Sequence, residues 1–341
     1  MTDPFVKKTY YTMTLDPVHI GTGGYRLGRV DNTITREPGT NIPKIPGSSI
    51  SGATRAYTAM YVQSNNPMIP AKMKYQRPDK KVMVKKEDGT EEEKTIYYSC
   101  AGKGADDGEG HCGKPDCEVC VPFGFSKKGN SFQGLAQFFD ARILFFPVHS
   151  MIGPVWVTCP SVLCEFVAIP AIKEDTFNAI NRAYDKNLNF GWLMLEVDKS
   201  SNVDIDFSKF PESEQFCKVC NIIMNRAFLV SDKVFSRIVN DNLEVRTSVA
   251  IDPATGAAED GALFTYEAIP RSTIMWFEVV YNKPEYFRIN GQEIKKDDGK
   301  NADAGWIRGN VEKGLKYLET LGVGGMNTRG MGRLKILNNG G

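Results

Sequence analysis

The sequence predicts an α+β fold in which helices cover one face of a sheet. Three observations support this class: a strand-like run at Thr9 to Val18, a helix start after Gly47, and a long hairpin at Glu244 to Phe264. Strands that flank isolated helices, with long insertions between them, are typical of α+β domains. The chain shows no internal repeat of solenoid period, so a repeat architecture is not expected.

The composition is that of a globular protein with a balanced surface. The 341 residues are 41% hydrophobic and 24% charged, which allows a sizeable core, and the net charge is only +1. Any site for a polyanion must therefore be a local patch. No apolar run approaches the roughly 18 residues that span a bilayer, and the N-terminus resembles no secretory signal. We therefore expect a cytoplasmic protein with no membrane partner.

The first elements place a glycine-rich turn and a helix on either side of a loop. The Thr9 to Val18 strand leads into His19-Ile-Gly-Thr-Gly, and a loop through Asp31 follows. The loop ends at Gly47, where Pro46 and the serines after Gly47 favour a helix start.

The start of this helix is a candidate phosphate site. A serine-rich helix N-terminus offers free N–H groups, hydroxyls and the positive end of the helix dipole, which together suit a phosphate. Lys44 and Arg55 flank Ser48 and Ser49 and add positive charge. Ordinary capping by either serine would explain the serines but not the two flanking charges.

Residues 65–120 form a polar insertion that contains a cysteine cluster. Its spacing is Cys100-x11-Cys112-x4-Cys117-x2-Cys120, with His111 adjacent. A Cys-x-x-Cys pair with further soft ligands, in a segment of little apolar content, predicts a structural zinc site. Cys112, Cys117 and Cys120 are the firmer ligands, whereas Cys100 and His111 compete for the fourth place. Because adjacent residues are awkward ligands for one ion, Cys100 is favoured over His111; free thiols in a loop are the alternative.

The second half of the chain alternates strands and helices. Strand patterns occupy Gln133 to Phe146 and Thr273 to Tyr281, and Trp156 to Leu163 is expected to continue the core. Helical or mixed patterns occupy Ile172 to Tyr184 and Pro211 to Val230, and a short helix is expected at Val311 to Thr320. The pair Cys217-x-x-Cys220 lies in an apolar stretch, where we expect burial rather than metal binding.

A second glycine-rich loop runs from Gly322 to Gly332. It follows a helix and precedes a strand, which is the reverse of a dinucleotide-binding fingerprint. Its glycines, among them Gly324 and Gly325, allow a backbone to approach a phosphate closely, and Arg329 adds charge. A tight helix-to-strand connection without any ligand explains the same spacing equally well.

Several motifs together resemble a known family. His19-Ile-Gly-Thr-Gly, the segment GRVDNTITREP around Asp31, Ile45-Pro-Gly-Ser-Ser-Ile-Ser-Gly and the final glycine-rich loop resemble the RAMP superfamily of CRISPR proteins. More narrowly, FFPVHSMIGPVWVTCPSVL and IDPATGAAEDGALF resemble the repeating backbone subunit of the type III-B CRISPR (Cmr) effector complex. The resemblance extends from about Thr9 to Leu337 and keeps the motifs in order, which suggests a single RAMP-type domain over residues 1–341.

The resemblance implies a modified RRM-like, or ferredoxin-like, palm with an inserted zinc-bearing segment and a β-hairpin thumb at residues 244–264. The implied partners are CRISPR RNA, single-stranded target RNA, other copies of the chain and other Cmr subunits. The hairpin suits a thumb because it is long, turns tightly and carries side chains that can stack on bases. The residues expected to bind RNA are Lys44, Ser48, Ser49, Arg55, Arg246, Gly324, Gly325 and Arg329.

Asp31 is the residue expected to carry chemistry. The resemblance places the target-cleaving aspartate there, and a carboxylate in that loop could hold a divalent cation such as Mg²⁺ or orient a ribose 2′-OH. His19 and Glu267 are weaker candidates for assistance. Without the resemblance, a loop aspartate is more often a turn cap.

Two other functions remain open at this point. The first is a purely structural backbone subunit, which Asp31 argues against because RNA binding needs no carboxylate there. The second is a CRISPR RNA-processing endoribonuclease. Such enzymes commonly use His, Tyr and Lys as acid–base groups, and only three histidines are present. A zinc hydrolase would need an open coordination position, whereas a cluster of thiols is typical of a closed structural site.

Overall fold

The chain forms two compact units. The computed structural model describes residues 3–23, 30–64, 76–85, 91–97, 100–101, 110–127, 129–169, 172–200, 203–210, 216, 223, 225–296 and 298–338. The first unit comprises Met1–Lys8, Ile50–Phe138 and Val279–Tyr317, and the second comprises Thr9–Ser49, Phe139–Glu278 and Leu318–Gly341.

The described elements are mostly short strands. The strands are β1 (Phe5–Thr14), β2 (Lys44–Ile45), β3 (Gln76–Lys85), β4 (Glu91–Tyr97), β5 (Phe125–Lys127), β6 (Asn130–Phe132), β7 (Ala136–Phe138), β8 (Ala141–Val148), β9 (Val155–Thr158), β10 (Thr176–Ala179), β11 (Leu188–Phe190), β12 (Leu193–Val197), β13 (Ala227–Val230), β14 (Glu244–Ile251), β15 (Ala258–Ala268), β16 (Ile274–Asn282), β17 (Arg288–Ile289), β18 (Gln292–Glu293) and β19 (Leu334–Ile336). The helices are α1 (Gly47–Ser64), α2 (Cys120–Phe123), α3 (Pro160–Leu163), α4 (Asp232–Asp241), α5 (Ala304–Leu315) and α6 (Leu318–Leu321).

A large mixed sheet organises the second unit. Its strand order is β11-β12-β10-β13-β9-β8-β16-β1-β19, and β2 pairs with β8 beside this path. The β10–β12 and β13–β9 pairs are parallel, whereas the other pairs with a resolved register are antiparallel. Every residue of β10 and β13 is buried, which is typical of strands covered on both faces. The expected mixture of helices with a sheet is therefore confirmed.

Aromatic side chains form much of the core of this unit. The ring centroids of Tyr11 and Phe216 lie 4.2 Å apart, and those of Phe166 and Phe210 lie 4.5 Å apart. Trp276 of β16 meets Phe166 edge-on at 4.8 Å. Offset and edge-to-face contacts of this kind add to the free energy gained from burying the rings. This core fixes the sheet on which the site is built.

Helices α1 and α5 pack closely in the first unit because Gly314 carries no side chain. A Cβ at Gly314 would lie 2.3 Å from the Thr54 carbonyl oxygen and 2.4 Å from Thr58 Oγ1. The same Oγ1 donates a 3.1 Å hydrogen bond to the Asn310 carbonyl oxygen. Strand β7 pairs with the end of β16 in this unit, at residues 279–281.

Most expected elements occur, with shifted bounds. The hairpin expected at Glu244 to Phe264 is present as β14 and β15 and continues to Ala268. The helical or mixed pattern at Ile172 to Tyr184 holds a strand, β10, because its apolar residues are buried between neighbouring strands. Cys217 and Cys220, and much of the 65–120 insertion, lie outside the described residues.

Candidate nucleic-acid interface

Asp31 is bound to strand β15 through Thr265. Oδ2 of Asp31 accepts a 2.7 Å hydrogen bond from the Thr265 amide and a 2.9 Å bond from its hydroxyl. The Asp31 amide donates in return to Thr265 Oγ1 at 3.1 Å. One threonine therefore makes three hydrogen bonds with one aspartate and fixes the orientation of its carboxylate.

These bonds keep the Asp31 carboxylate ionised. The backbone amide of Thr265 has the largest effect and its hydroxyl the next, and together they hold the pKa of Asp31 below its ordinary value. Among the residues that the structure describes, Oδ1 has no hydrogen-bond partner. A carboxylate with a lowered pKa is a weak proton acceptor, so this geometry suits binding a cation or orienting a hydroxyl better than removing a proton.

Glu267 is held by a neighbouring cation. Its Oε2 accepts a 2.7 Å hydrogen bond from Arg36 Nη2 and a 3.4 Å bond from the Ile34 amide. Arg36 also donates from Nε to Asn240 Oδ1 at 2.9 Å. The carboxylate is buried and paired with residues of the loop that carries Asp31, so Glu267 anchors that loop to β15. Its predicted assistance in catalysis stays a prediction.

His19 is buried beside the same strand. Its Nδ1 lies 2.6 Å from the Glu267 carbonyl oxygen, and because a carbonyl only accepts, Nδ1 must carry the proton. In the neutral ring, Nε2 is then the acceptor, and it lies 3.2 Å from where a Cβ on Gly21 would stand. The Tyr266 ring packs edge-on at 5.9 Å. His19 is thus fixed in one tautomer, and a catalytic part for it remains predicted.

The second glycine-rich loop lies against His19. Gly324 has a φ of +83°, and a Cβ there would lie 2.4 Å from the His19 carbonyl oxygen. The Gly325 amide donates a 2.9 Å hydrogen bond to that oxygen. Close packing therefore explains glycine at position 324. The loop itself is exposed from Gly324 to Gly330 apart from the half-buried Met326, so backbone amides and Arg329 can still be reached by a ligand.

The hairpin of β14 and β15 carries exposed apolar side chains and ends in a self-capped turn. Asp252 accepts hydrogen bonds from the Ala254 amide and the Thr255 hydroxyl, and Gly256 takes a φ of +66°. Leu263 is 66% exposed and Ile251 is 54% exposed. Exposed apolar residues next to a polar turn favour contact with a partner over packing within the unit.

Two arginines predicted to bind RNA lie along the hairpin. Arg329 donates a 3.2 Å hydrogen bond to Ser248 Oγ, and its guanidinium carbon lies 5.8 Å from the centre of the Phe264 ring. Arg246 donates to Glu244 Oε1 at 2.6 Å and is half-exposed. Arg329 is exposed and has no ion-pair partner among the described residues, which leaves its charge available.

The carboxylate of Asp140 already binds at the start of α1. Asp140 accepts a 2.6 Å hydrogen bond from Lys44 Nζ and a 2.8 Å bond from the Gly47 amide. Burial acts to raise the pKa of Asp140, but these two donors outweigh it and the pKa is lowered. Ser48 is exposed and Ser49 is half-buried. The predicted phosphate contact of Lys44 would therefore have to compete with Asp140.

Arg55 points into the cysteine cluster. It donates from Nε to the Cys100 carbonyl oxygen at 2.8 Å, and from Nη2 to the Gly124 carbonyl oxygen and to His111 Nδ1, both at 2.9 Å. Burial lowers the pKa of Arg55, and the neighbouring cysteines oppose that shift. Arg55 was predicted to bind RNA; the structure gives its charge an internal function that needs no RNA.

Four cysteines form a group that could hold a metal ion such as zinc. The sulfur atoms of Cys100, Cys112, Cys117 and Cys120 all lie within 4.8 Å of one another. Hydrogen bonds from the other thiols lower the pKa of Cys120, whereas burial raises the pKa of Cys117. Four soft ligands gathered in a buried position suit a closed tetrahedral ion. The predicted preference for Cys100 as fourth ligand agrees with this group.

His111 supports the group from outside it. Its Nδ1 accepts the hydrogen bond from Arg55, and its side chain contributes to lowering the pKa of Cys120. A residue of this kind orients a ligand without binding the ion. Since the four sulfurs already supply a tetrahedral set, the structure favours Cys100 over His111.

Sequence reasoning missed Thr265, Arg36 and Asp140. Thr265 contacts Asp31 across 234 positions of sequence, and Arg36 contacts Glu267 across 231. Pairs this distant leave no local spacing pattern. The pattern over Gln133 to Phe146 predicts one strand, whereas Asp140 lies between β7 and β8, where its carboxylate can turn toward Lys44 and Gly47.

Comparison with known proteins identifies the family. A family model described as the RAMP superfamily matches residues 13–335. The chain belongs to the RAMP superfamily. The resemblance drawn from the motifs is thereby confirmed. No helix among the described residues is both long and apolar enough to cross a membrane.

This RAMP chain is similar to one curated relative and to solved structures. It is 26% identical over 350 residues to the CRISPR system Cmr endoribonuclease Cmr4 of Pyrococcus furiosus, with 96% of each chain covered. A chain of the type III-B Cmr-beta complex in its apo state has a TM-score of 0.57 at 14% identity, covering 97% of this chain and 96% of that one. The same complex bound to cognate target RNA gives a TM-score of 0.57 at 13% identity, with the same coverage. The two structural matches show a shared fold.

Proposed function

We propose that this chain is the RNA-binding, repeating backbone subunit of a type III-B CRISPR (Cmr) effector complex and that it cleaves guide-complementary target RNA at regular intervals. Its partners would be CRISPR RNA, target RNA, further copies of itself and other Cmr subunits. The similarity to a Cmr endoribonuclease over 96% of both chains supports this function. The observation that carries the catalytic part is Asp31, held at the base of an exposed hairpin, with no hydrogen-bond partner for Oδ1 among the described residues.

In this proposal the mixed sheet is the modified RRM-like palm and the β14–β15 hairpin is the thumb. Leu263, Ile251 and Val249 are 66%, 54% and 41% exposed on the hairpin. Side chains of this type can wedge between stacked bases, and Phe264 can stack on one. A thumb from each copy would open the guide–target duplex at a fixed spacing, because the copies repeat along the guide.

RNA contacts are expected mainly on the surface formed by the exposed loop and hairpin, namely Gly324, Gly325, Arg329, Arg246 and Phe264. Arg329 and loop amides bind phosphates without reading sequence, which is what a guide-carrying subunit requires. The Gly325 amide already donates to the His19 carbonyl oxygen, so Gly325 would contribute close approach of the backbone rather than a donor. Ser48, Ser49 and Lys44 at the start of α1 form a second, weaker candidate contact because Asp140 already occupies part of it.

The proposed reaction is attack of a ribose 2′-oxygen on the adjacent phosphorus. The new P–O2′ bond forms as the P–O5′ bond breaks, which yields a 2′,3′-cyclic phosphate and a 5′-hydroxyl. The 2′-proton leaves to solvent, and the departing O5′ gains a proton from solvent. Asp31 would accept a hydrogen bond from the 2′-OH through Oδ1 and align it with the phosphorus. Unstacking by the thumb would free the nucleotide to reach that alignment.

The donor set at Asp31 is compatible with a divalent cation. One open carboxylate oxygen fits Mg²⁺, which keeps several waters and is commonly held by one or two carboxylates together with phosphates. Oε2 of Glu267 is paired with Arg36, so Asp31 is the carboxylate assigned to the ion. As the alternative to accepting the 2′-OH directly, Asp31 would hold such an ion through Oδ1, and the ion would supply positive charge near the reacting phosphate.

We also propose that the four-cysteine group binds a structural zinc ion. Three of the cysteines are buried and Cys112 is half-buried, and four sulfur ligands leave no open position for substrate. Arg55, inside the group, offsets part of the negative charge of the thiolates. This site would order the segment around Cys112 to Cys120, where the chain has few apolar side chains to form a core.

The test is Asp31→Ala in a complex reconstituted with a guide RNA and a matched target RNA. Cleavage at regularly spaced positions should fall by roughly 10²-fold or more, as expected for loss of a group that aligns the attacking 2′-OH with the phosphorus. The target dissociation constant should stay within about threefold, since removing a carboxylate does not weaken attraction to phosphates. Asp185→Ala, at an exposed aspartate of the same unit, is the matched control.

The outcomes separate the alternatives. Undiminished cutting by Asp31→Ala would overturn the catalytic assignment and favour a purely structural backbone subunit. Loss of target binding together with cutting would assign Asp31 a structural role. Cleavage of precursor CRISPR RNA by the isolated chain would instead favour the processing endoribonuclease.

A further inference from the structure

The Asp31 loop lies along β15 like a short additional strand. The Asn32 amide donates a 3.0 Å hydrogen bond to the Thr265 carbonyl oxygen, and the Glu267 amide donates at 3.0 Å to the Asn32 carbonyl oxygen. The two segments pair in parallel at Asn32 and Tyr266. Any movement of this part of β15 therefore has to move the loop as well.

Thr265 controls the carboxylate within that pairing. Its hydroxyl has one proton, which it donates to Asp31 Oδ2, and its oxygen accepts the Asp31 amide hydrogen. Its own amide donates to the same Oδ2. Each hydrogen-bonding group has one defined direction, so Oδ2 is held by two donors, whereas Oδ1 has no hydrogen-bond partner among the described residues. Free rotation of the carboxylate would break at least one of these bonds.

The same threonine lies next to the exposed part of the hairpin. It follows Leu263 and Phe264 on β15, and it pairs in antiparallel register with Thr247 of β14. Leu263 is 66% exposed, whereas Tyr266 and Glu267 on the other side of Thr265 are buried. Thr265 is therefore the point at which the strand passes from the exposed hairpin to the buried base.

We propose that Thr265 is a positioning residue for cleavage: it sets the direction of the Asp31 carboxylate and ties that direction to the position of the hairpin. This inference rests on the proposed function, because it takes Asp31 to act on target RNA. A hairpin correctly seated in the guide–target duplex would hold Asp31 in its working orientation. A hairpin displaced by a poorly matched duplex would carry Thr265, and with it the carboxylate, out of line.

The decisive variant is Thr265→Val, which keeps the shape, the β-branching and the backbone amide but removes the hydroxyl. Small errors in placing a reacting group can cost up to about 10²-fold in rate. In the guide-bound complex we expect single-turnover cleavage to fall by about 10- to 100-fold. The target dissociation constant should change by no more than about threefold, because Thr265 contributes no charge to RNA binding. Thr265→Ser keeps the hydroxyl and should recover most of the rate.

Thr247→Val is the matched control, since it makes the same change directly opposite on the hairpin and Thr247 does not contact Asp31 in the described contacts. An equal loss in Thr247→Val, or no recovery in Thr265→Ser, would assign the effect to the hairpin in general and overturn the proposal. If Asp31→Ala abolishes cleavage while Thr265→Val cuts at the full rate, Thr265 has no positioning role and the proposed function stands. If Asp31→Ala itself cuts normally, the proposed function fails first.

Discussion

Arg36 donates a 2.7 Å hydrogen bond from Nη2 to Glu267 Oε2, and the two side chains are 18% and 10% exposed. This ion pair joins the loop that carries Asp31 to strand β15. Arg36 also donates from Nε to Asn240 Oδ1 and from Nη1 to the Ile34 carbonyl oxygen. A pair that is largely withdrawn from water and held by further hydrogen bonds is costly to break from one side.

Replacing Arg36 by methionine should therefore destabilise the protein by about 3 kcal/mol, since it leaves the Glu267 carboxylate buried without its cation. Urea denaturation of the purified chain measures this. The double variant Arg36→Met with Glu267→Gln should be less destabilised than Arg36→Met alone. Arg237→Met removes an exposed i,i+4 pair with Asp241 and should change stability by less than about 0.5 kcal/mol. Equal stability of the Arg36 and Arg237 variants would show that the buried pair contributes little.

Zinc removal tests the cysteine group. Elemental analysis should find about one zinc ion per chain, as expected for a closed four-sulfur site. Cys117→Ser should lose the ion and expose the segment after Cys112 to protease, because metal binding supplies the order of such segments. Cys164→Ser, at an exposed cysteine outside the group, should keep the ion. Full metal content in Cys117→Ser would contradict the site.

Carbon NMR titration of the Asp31 carboxyl tests the bonds from Thr265. In the wild-type chain its pKa should lie below the ordinary value of about 3.9, because both donors stabilise the charged form. A carboxyl whose pKa is lowered by folding contributes stability above its unfolded pKa, and that contribution is lost as the pH falls through the folded pKa. Thr265→Val should move the pKa upward. Comparison with Asp31→Asn assigns the signal, and an unshifted wild-type pKa would contradict the observed bonding.

Arg329→Gln tests the loop–hairpin contact with RNA. The affinity of the purified chain for single-stranded RNA of mixed sequence should fall, and the slope of log affinity against log salt should decrease by about 1, the change expected for one lost phosphate contact. The loss should be similar across RNA sequences. Arg237→Gln, on the exposed face of α4, provides the control for a general change in charge. An unchanged salt slope in Arg329→Gln would exclude this arginine from the contact.

Features that depend on neighbouring residues could be predicted from the sequence. The hairpin follows from the turn residues Asp252 to Gly256, whose side chains and backbone cap each other locally. The cysteine group follows from spacing within a short segment, and its four sulfurs do come together. The RAMP family followed from the order of several short motifs. Each of these signals lies within one short segment or in the order of several segments along the chain.

Features that depend on packing could not be predicted in this way. Nothing near Asp31 indicates that Thr265 will hold it, because the sheet brings together residues 234 positions apart. The helix sequence predicts Arg55 as a phosphate ligand, because it gives no sign of the distant acceptors Cys100 and Gly124. Strand β10 was hidden for a similar reason, since burial between two other strands overrides the local helical pattern.

Gly324 links the residues that can be tolerated in the second glycine-rich loop to those that can be tolerated around His19. A Cβ at this position would lie 2.4 Å from the His19 carbonyl oxygen, and the positive φ disfavours any side chain in addition. A substitution there would force the loop away from residue 19 before any contact with RNA was altered. Gly330, with open space around it, is under no such steric pressure, although its φ is also positive. If relatives keep glycine at position 324, the close approach of the His19 backbone is a sufficient reason. A mutational library that changes residue 324 would therefore also have to vary the residues around His19.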